Sequence, residues 1–144
     1  MNAFHGPHLD RDLSVIVVEN NPVIREIVHD VLHALDVEDV FYAEDADEGL
    51  EAFGHRKRDL VILEYAEDSG DGLRMLKAIR DTGEAPDTAF VTLAAYPTRE
   101  IVMRAGKAGT DTLVAEPVVP QAMADHIFAA LKKHPNSHAV LKMV

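Results

Sequence analysis

The chain has 144 residues, 47% of them hydrophobic, which is material for one globular domain with a single continuous core. It contains no cysteine, which excludes disulfides, thiolate nucleophiles and thiolate zinc sites. With 25 acidic against 14 basic residues the formal net charge is −11, and a surface of that sign repels a phosphate backbone, so no nucleic-acid partner is expected.

Met1 to Asp12 is polar and lacks the basic start and apolar middle of a secretory signal. It is expected to be a flexible segment ahead of a domain spanning residues 13–132. Nowhere does an apolar run approach the roughly 20 residues of a membrane span, so the expectation is a cytoplasmic protein with no membrane partner.

The first element is the β-branched run Leu13 to Val18, which stops at Glu19-Asn20-Asn21. Pro22 is suited to open a helix capped by Asn20 or Asn21. Its apolar residues Val23, Ile24, Ile27, Val28, Val31, Leu32 and Leu35 recur at helical steps, with Glu26, His29, Asp30 and His33 opposite. Asp39 to Ala43 is a weaker strand, followed by a helix over Ala46 to Gly54. The cluster His55-Arg56-Lys57-Arg58 reads as its solvated end.

Leu60 to Leu63 forms the third strand and ends at Glu64. A helix over Gly72 to Arg80 buries Leu73, Leu76 and Ile79. Ala89 to Leu93 is the fourth strand, and a helix starting near Pro97 carries Ile101, Val102 and Ala105. Gly106 and Gly109 terminate it. Thr112 to Ala115 is the fifth strand, ending at Glu116-Pro117. The last helix covers Val119 to Lys132 with Met123, Ile127, Phe128 and Leu131 inward, and residues 133–144 form a tail.

Continuous apolar strands alternating with amphipathic helices specify an α/β fold with a doubly wound five-stranded parallel sheet. Sites in such sheets lie beyond the carboxyl ends of the strands. That selects Glu19 to Asn21, Glu64 to Asp71, Ala94 to Tyr96 and Glu116-Pro117.

At these positions the chain resembles the receiver domains of two-component response regulators, a (βα)5 flavodoxin-like fold, over about Leu13 to Leu131. The motifs are Glu64 followed by Asp71-Gly72, Ala94-Ala95 after the fourth strand, Gly109 ahead of Glu116-Pro117, and Arg25 in the first helix. The resemblance implies an acidic pair holding Mg²⁺, an acceptor aspartate, a Thr or Ser, a Lys, and a cis bond before the proline. Here the pair is Glu19-Asn20, the acceptor position is Glu64, the hydroxyl position Ala94 and the lysine position Glu116. The family's aromatic switch residue is Leu113.

Phosphoryl transfer to a carboxylate needs an in-line nucleophile, a divalent cation and donors for the equatorial oxygens. The extra methylene of Glu64 displaces its oxygens by about 1.5 Å, and an error of about 1 Å costs about a hundredfold in rate. Ala94 removes a donor, and Glu116 puts an anion where phosphoryl oxygens would sit. The expectation is therefore an atypical receiver, not an enzyme, that signals by phosphorylation-independent protein contact.

Glu64 could also mimic the phosphorylated state, although it carries less charge than a phosphate and lacks the residues that would read it. A weak Mg²⁺ or Ca²⁺ site through Glu19 and Glu64 is a further expectation, since clustered carboxylates call for a raised pKa or a cation. Otherwise Glu116 would swing into solvent or meet Arg99. His29 and His33, four apart, show no third metal ligand and read as solvated.

By resemblance the partners are a histidine kinase, a phosphotransfer protein or an output protein, with a possible homodimer through the last two helices. The expected surface includes Tyr96, Arg104, Lys107 and Leu113. The alternatives are a phosphoacceptor still modified at Glu64 or Asp68, and a small-molecule or nucleotide-binding module of the same fold. The lack of a dense glycine-rich loop after the first strand weakens the second.

Overall fold

The computed structural model describes residues 12–65 and 71–134. The N-terminal segment through Arg11, residues 66–70 with Glu67 and Asp68, and residues 135–144 lie outside the described residues. Five strands alternate with five helices: β1 (Ser14–Val18), α1 (Pro22–Ala34), β2 (Asp39–Ala43), α2 (Ala46–His55), β3 (Leu60–Glu64), α3 (Asp71–Thr82), β4 (Ala89–Ala94), α4 (Arg99–Ala108), β5 (Thr112–Ala115) and α5 (Pro120–Lys132). All strand pairs are parallel, in the order β2-β1-β3-β4-β5. The order reverses at β1, which places the switch point beside the end of that strand.

Strand side chains alternate between two apolar layers. Val15, Val17, Leu60, Ile62, Val91 and Leu93 face α1 and α5, meeting Val28, Val31, Leu32, Met123, Ile127 and Leu131. On the other side Ile16, Val18, Val61, Leu63 and Phe90 meet Ala52, Met75, Leu76 and Ile79 of α2 and α3. With both faces covered, the central strands need no polar alternation.

Local signals place the helix ends. Asn21, and not Asn20, caps α1: its Oδ1 accepts from Val23 and Ile24 N–H. Asp45 and Thr98 cap α2 and α4 in the same way. Gly109 ends α4 at φ 108°, a left-handed conformation that favours glycine.

Two predicted core residues lie outside. Val23 is 65% exposed, because it sits about 140° around the helix from Val28, off the stripe that meets the sheet. Val102 is likewise exposed, about 100° from Ile101. Met75, absent from the predicted set, is fully buried under the sheet. Among the described residues no helix is long and apolar enough to cross a membrane.

Candidate functional site

Backbone bonds at the strand ends draw the selected residues together. Glu19 N–H donates to Ala43 O at 3.1 Å, Tyr65 N–H to Leu93 O at 2.7 Å, and Glu116 N–H to Ala94 O at 2.9 Å. Arg25 reaches back from α1 and donates through Nε (3.0 Å) and Nη2 (2.6 Å) to the Glu19 carbonyl oxygen. Its charge is therefore spent on the backbone rather than on a site carboxylate. Gly72 explains the Asp-Gly spacing, since a Cβ there would lie 2.2 Å from Glu64 O. The Glu116-Pro117 bond is cis.

The site is built from three glutamates. Glu19 is only 2% exposed; its Oε1 accepts from Asn21 N–H at 2.9 Å, and its Oε2 has no donor among the described residues. Glu64 is half-buried, and its carboxyl is in hydrogen-bonding contact with that of Glu19. Glu116 is half-buried too, and its buried Oε2 also lacks a donor. The alternatives for Glu116 fail in that it neither lies free in solvent nor pairs with Arg99 among the described residues. Ala94 is buried beside them and brings no polar atom, while Asn20 and Pro117 are exposed.

Burial pushes the Glu19 carboxyl up to about 8, helped by the contact with Glu64 and the charges of Glu64 and Glu116, against the lowering by Asn21 N–H. Glu116 is raised as well, first by burial and then by the charge of Glu64. The raised Glu19 carboxyl thus favours its protonated form at neutral pH, in hydrogen-bonding contact with Glu64.

For a divalent ion the described residues offer two adjacent carboxyls, Glu19 and Glu64. Glu19 and Glu64, the residues expected to hold a divalent ion, do meet. Yet no three His, Cys, Asp or Glu among the described residues stand close enough to hold a metal. A pair that prefers a shared proton leaves the remaining places of an octahedral ion to water.

Of the expected interaction surface, Tyr96 is 85% exposed and stands near the N-terminus of α4. Arg104 and Lys107 are exposed on α4, with Arg104 donating to Glu100 at 2.6 Å. Leu113 on β5 is half-buried. Met103, Val102 and Val119 join them as exposed apolar residues. The α1 histidines stack on each other, and His29 bonds Tyr42 Oη at 2.9 Å.

Sequence reasoning missed the polar cluster at the opposite end of the sheet. Asp111 Oδ2 accepts from Phe90 N–H (2.8 Å), Arg80 Nη2 (3.1 Å) and His134 Nε2 (2.9 Å). Arg58 also departs from its predicted role as a solvated helix end. Its side chain is 8% exposed, donates to Ser14 Oγ, and lies 3.7 Å from Asp39. No local pattern could reveal these partners, which lie up to 44 residues apart in the chain.

A profile of the response regulator receiver domain matches residues 15–128. The chain belongs to that family. Receiver domains of this kind serve two-component signalling. The chain is 27% identical over 123 residues to a probable chemotaxis protein CheY of Rhizobium etli, covering 83% of this chain and 95% of that protein. It is 28% identical over 119 residues to the phosphate regulon transcriptional regulatory protein PhoB of Klebsiella pneumoniae, covering 83% of this chain. The chain spans about half (52%) of the PhoB proteins.

Among solved structures, a response regulator from Thermotoga maritima superposes with a TM-score of 0.73 at 22% identity, over 83% of this chain and 98% of that one. A Burkholderia pseudomallei response regulator with a phosphorylated aspartic acid, calcium ion and citrate gives 0.69 at 24% identity, over 83% and 66%. At such identities the likeness is one of fold.

Proposed function

We propose that this receiver domain acts in a cytoplasmic two-component pathway by protein contact alone, without phosphoryl transfer and without enzymatic activity. The observation that carries the reading is Glu116. Its carboxyl stands in a pocket with Glu19 and Glu64, where a transferred phosphoryl group would need a cation. Ala94 offers no hydroxyl, and the carboxyl of Glu19 is held well above its ordinary value by burial and by contact with Glu64. Glu64 as a fixed mimic of phosphorylation is disfavoured by the same contact, because its partner is another acid rather than a residue that reads negative charge. Divalent binding through Glu19 and Glu64 would be of millimolar class at best.

The proposed partners are a histidine kinase, a phosphotransfer protein, an output protein or a second copy, met through α4, β5 and α5. Tyr96, Arg104, Lys107 and Leu113 mark that face. Replacing Arg104 and Lys107 with Glu should weaken self-association or partner capture at least tenfold; unchanged binding would remove this face from consideration.

Intact mass spectrometry after incubation with acetyl phosphate and Mg²⁺, beside an ordinary receiver, tests the main reading. The expected result is no adduct on this chain. A stable adduct at Glu64, or at Asp68, which lies outside the described residues, would restore it to the phosphorelay.

A further inference from the structure

We propose that the groove between the last turns of α2 and α3 is a binding site for a small organic monocarboxylate whose apolar body is the size of an aromatic ring. The helices run antiparallel to the strands they connect, so their last turns lie at the amino end of the sheet, apart from Glu19, Glu64 and Glu116. The groove has a volume of about 500 Å³, within the range of about 300–1,000 Å³ that holds small ligands.

Its floor is apolar and anchored. Leu50 and Phe53 of α2 are half-buried and pack on the core under the sheet, and Ile79 of α3 is only 3% exposed. Small residues keep the space clear, Ala78 on α3 and Gly54 on α2. A Cβ on Gly54 would have no atom within 4 Å, and its φ is not left-handed. Glycine weakens a helix relative to alanine. Here neither crowding nor backbone shape requires it, and what it leaves is room.

Charge selects the head of the ligand. The chain carries a formal net charge of −11, yet His55, Arg56 and Lys57 stand together on the α2 side of the groove. Arg56 is held by Asp39 through hydrogen bonds of 2.8 and 3.0 Å, and His55 lies 3.9 Å from Glu51. Lys57 is exposed and has no ion pair among the described residues, which makes it the cation available to a carboxylate. The α3 side carries Thr82 and the acid Glu84. A second anionic group would meet Glu84 and the field of the whole chain, which favours a single negative charge over a nucleotide or other polyanion. Most of the affinity comes from an apolar body leaving water for Leu50, Phe53 and Ile79. The exposed ion pair with Lys57 adds a smaller part and sets the orientation.

The test is phenylbutyrate titrated into the full chain and followed by amide NMR, beside phenylbutanol and butyrate. Saturable shifts at Phe53 to Lys57 and Ala78 to Thr82 are expected with phenylbutyrate, at a Kd of about 0.3 mM. Phenylbutanol, which lacks the charge, should bind about fourfold more weakly. Butyrate, which lacks the ring, should bind at least tenfold more weakly. Gly54→Phe, which fills the groove, should weaken phenylbutyrate at least tenfold with the helical circular dichroism unchanged. Lys57→Glu should weaken phenylbutyrate about tenfold and leave phenylbutanol as it was.

No saturable shift, shifts confined to other residues, or equal affinity for phenylbutanol would each overturn the site. So would a dimer of the ligand-free chain that Gly54→Phe disrupts in sedimentation, which would assign the groove to a second copy. None of these outcomes bears on the acetyl phosphate assay, so the proposed function is tested separately.

Discussion

The two ends of the sheet treat buried acids in opposite ways. At the carboxyl end Glu19 and Glu64 are in carboxyl–carboxyl contact, and Glu116 Oε2 has no donor among the described residues. Near the amino ends of β4 and β5, Asp111 collects a backbone N–H, a guanidinium and an imidazole on one oxygen. Asp59 there accepts from Ser14 N–H at 2.9 Å, and Lys133 donates to Asp111 O. Arg80 also lies 4.6 Å from the Phe90 ring centroid, tying the cation to the core. At the amino end the acids Asp59 and Asp111 are satisfied, although Arg58 Nε there has no acceptor among the described residues. At the other end acids contact one another, and functional sites are where stability is commonly given up.

The largest effect that would test this contrast is Asp111→Ala. It leaves Arg80, with its side chain 19% exposed, without its carboxylate and orphans Phe90 N–H. We expect a loss of about 2–3 kcal/mol in urea denaturation; a loss below about 0.5 kcal/mol would show that the amino end is no better organised than the pocket.

Next comes Glu19→Gln, which fixes the pocket in its protonated shape. Because the folded value of about 8 lies above the ordinary 4.5, the contribution of Glu19 is complete below 4.5 and is lost as pH rises through about 8. Melting curves from about pH 5 to about pH 9 should show the wild type falling behind the variant by about 4 °C at the alkaline end. Parallel curves would mean that Glu19 is not strained by its neighbours.

The smallest expected effect is His134→Ala. Both ring nitrogens have partners, Asp111 Oδ2 and Pro86 O, each at 2.9 Å, but the residue follows the last turn of α5. A loss of about 0.5–1 kcal/mol is expected in the same urea assay, and hydrogen exchange should quicken at the end of α5 before elsewhere. No change would limit the paired end to Asp111 and Arg80.

The contrast also explains what was readable in advance. Glu19, Glu64, Ala94 and Glu116 stand directly after apolar strands, so periodicity places them at one edge of the sheet before any coordinate is known. Asp111 follows a glycine turn and Arg80 lies on a polar helix face, positions that look solvated. Their partners come from other elements 21 to 31 residues away. Val23 failed for a related reason: an apolar residue can match helical spacing and still miss the narrower stripe that meets the sheet.

The sequence by itself determined the five strand–helix units and the set of acids at the strand ends, because these follow from side-chain periodicity. Only the tertiary structure decided which acids touch, which oxygens stay unpartnered and which find a cation. Those outcomes depend on distances between separate strands and on exclusion of water, and neither quantity exists until the sheet has formed.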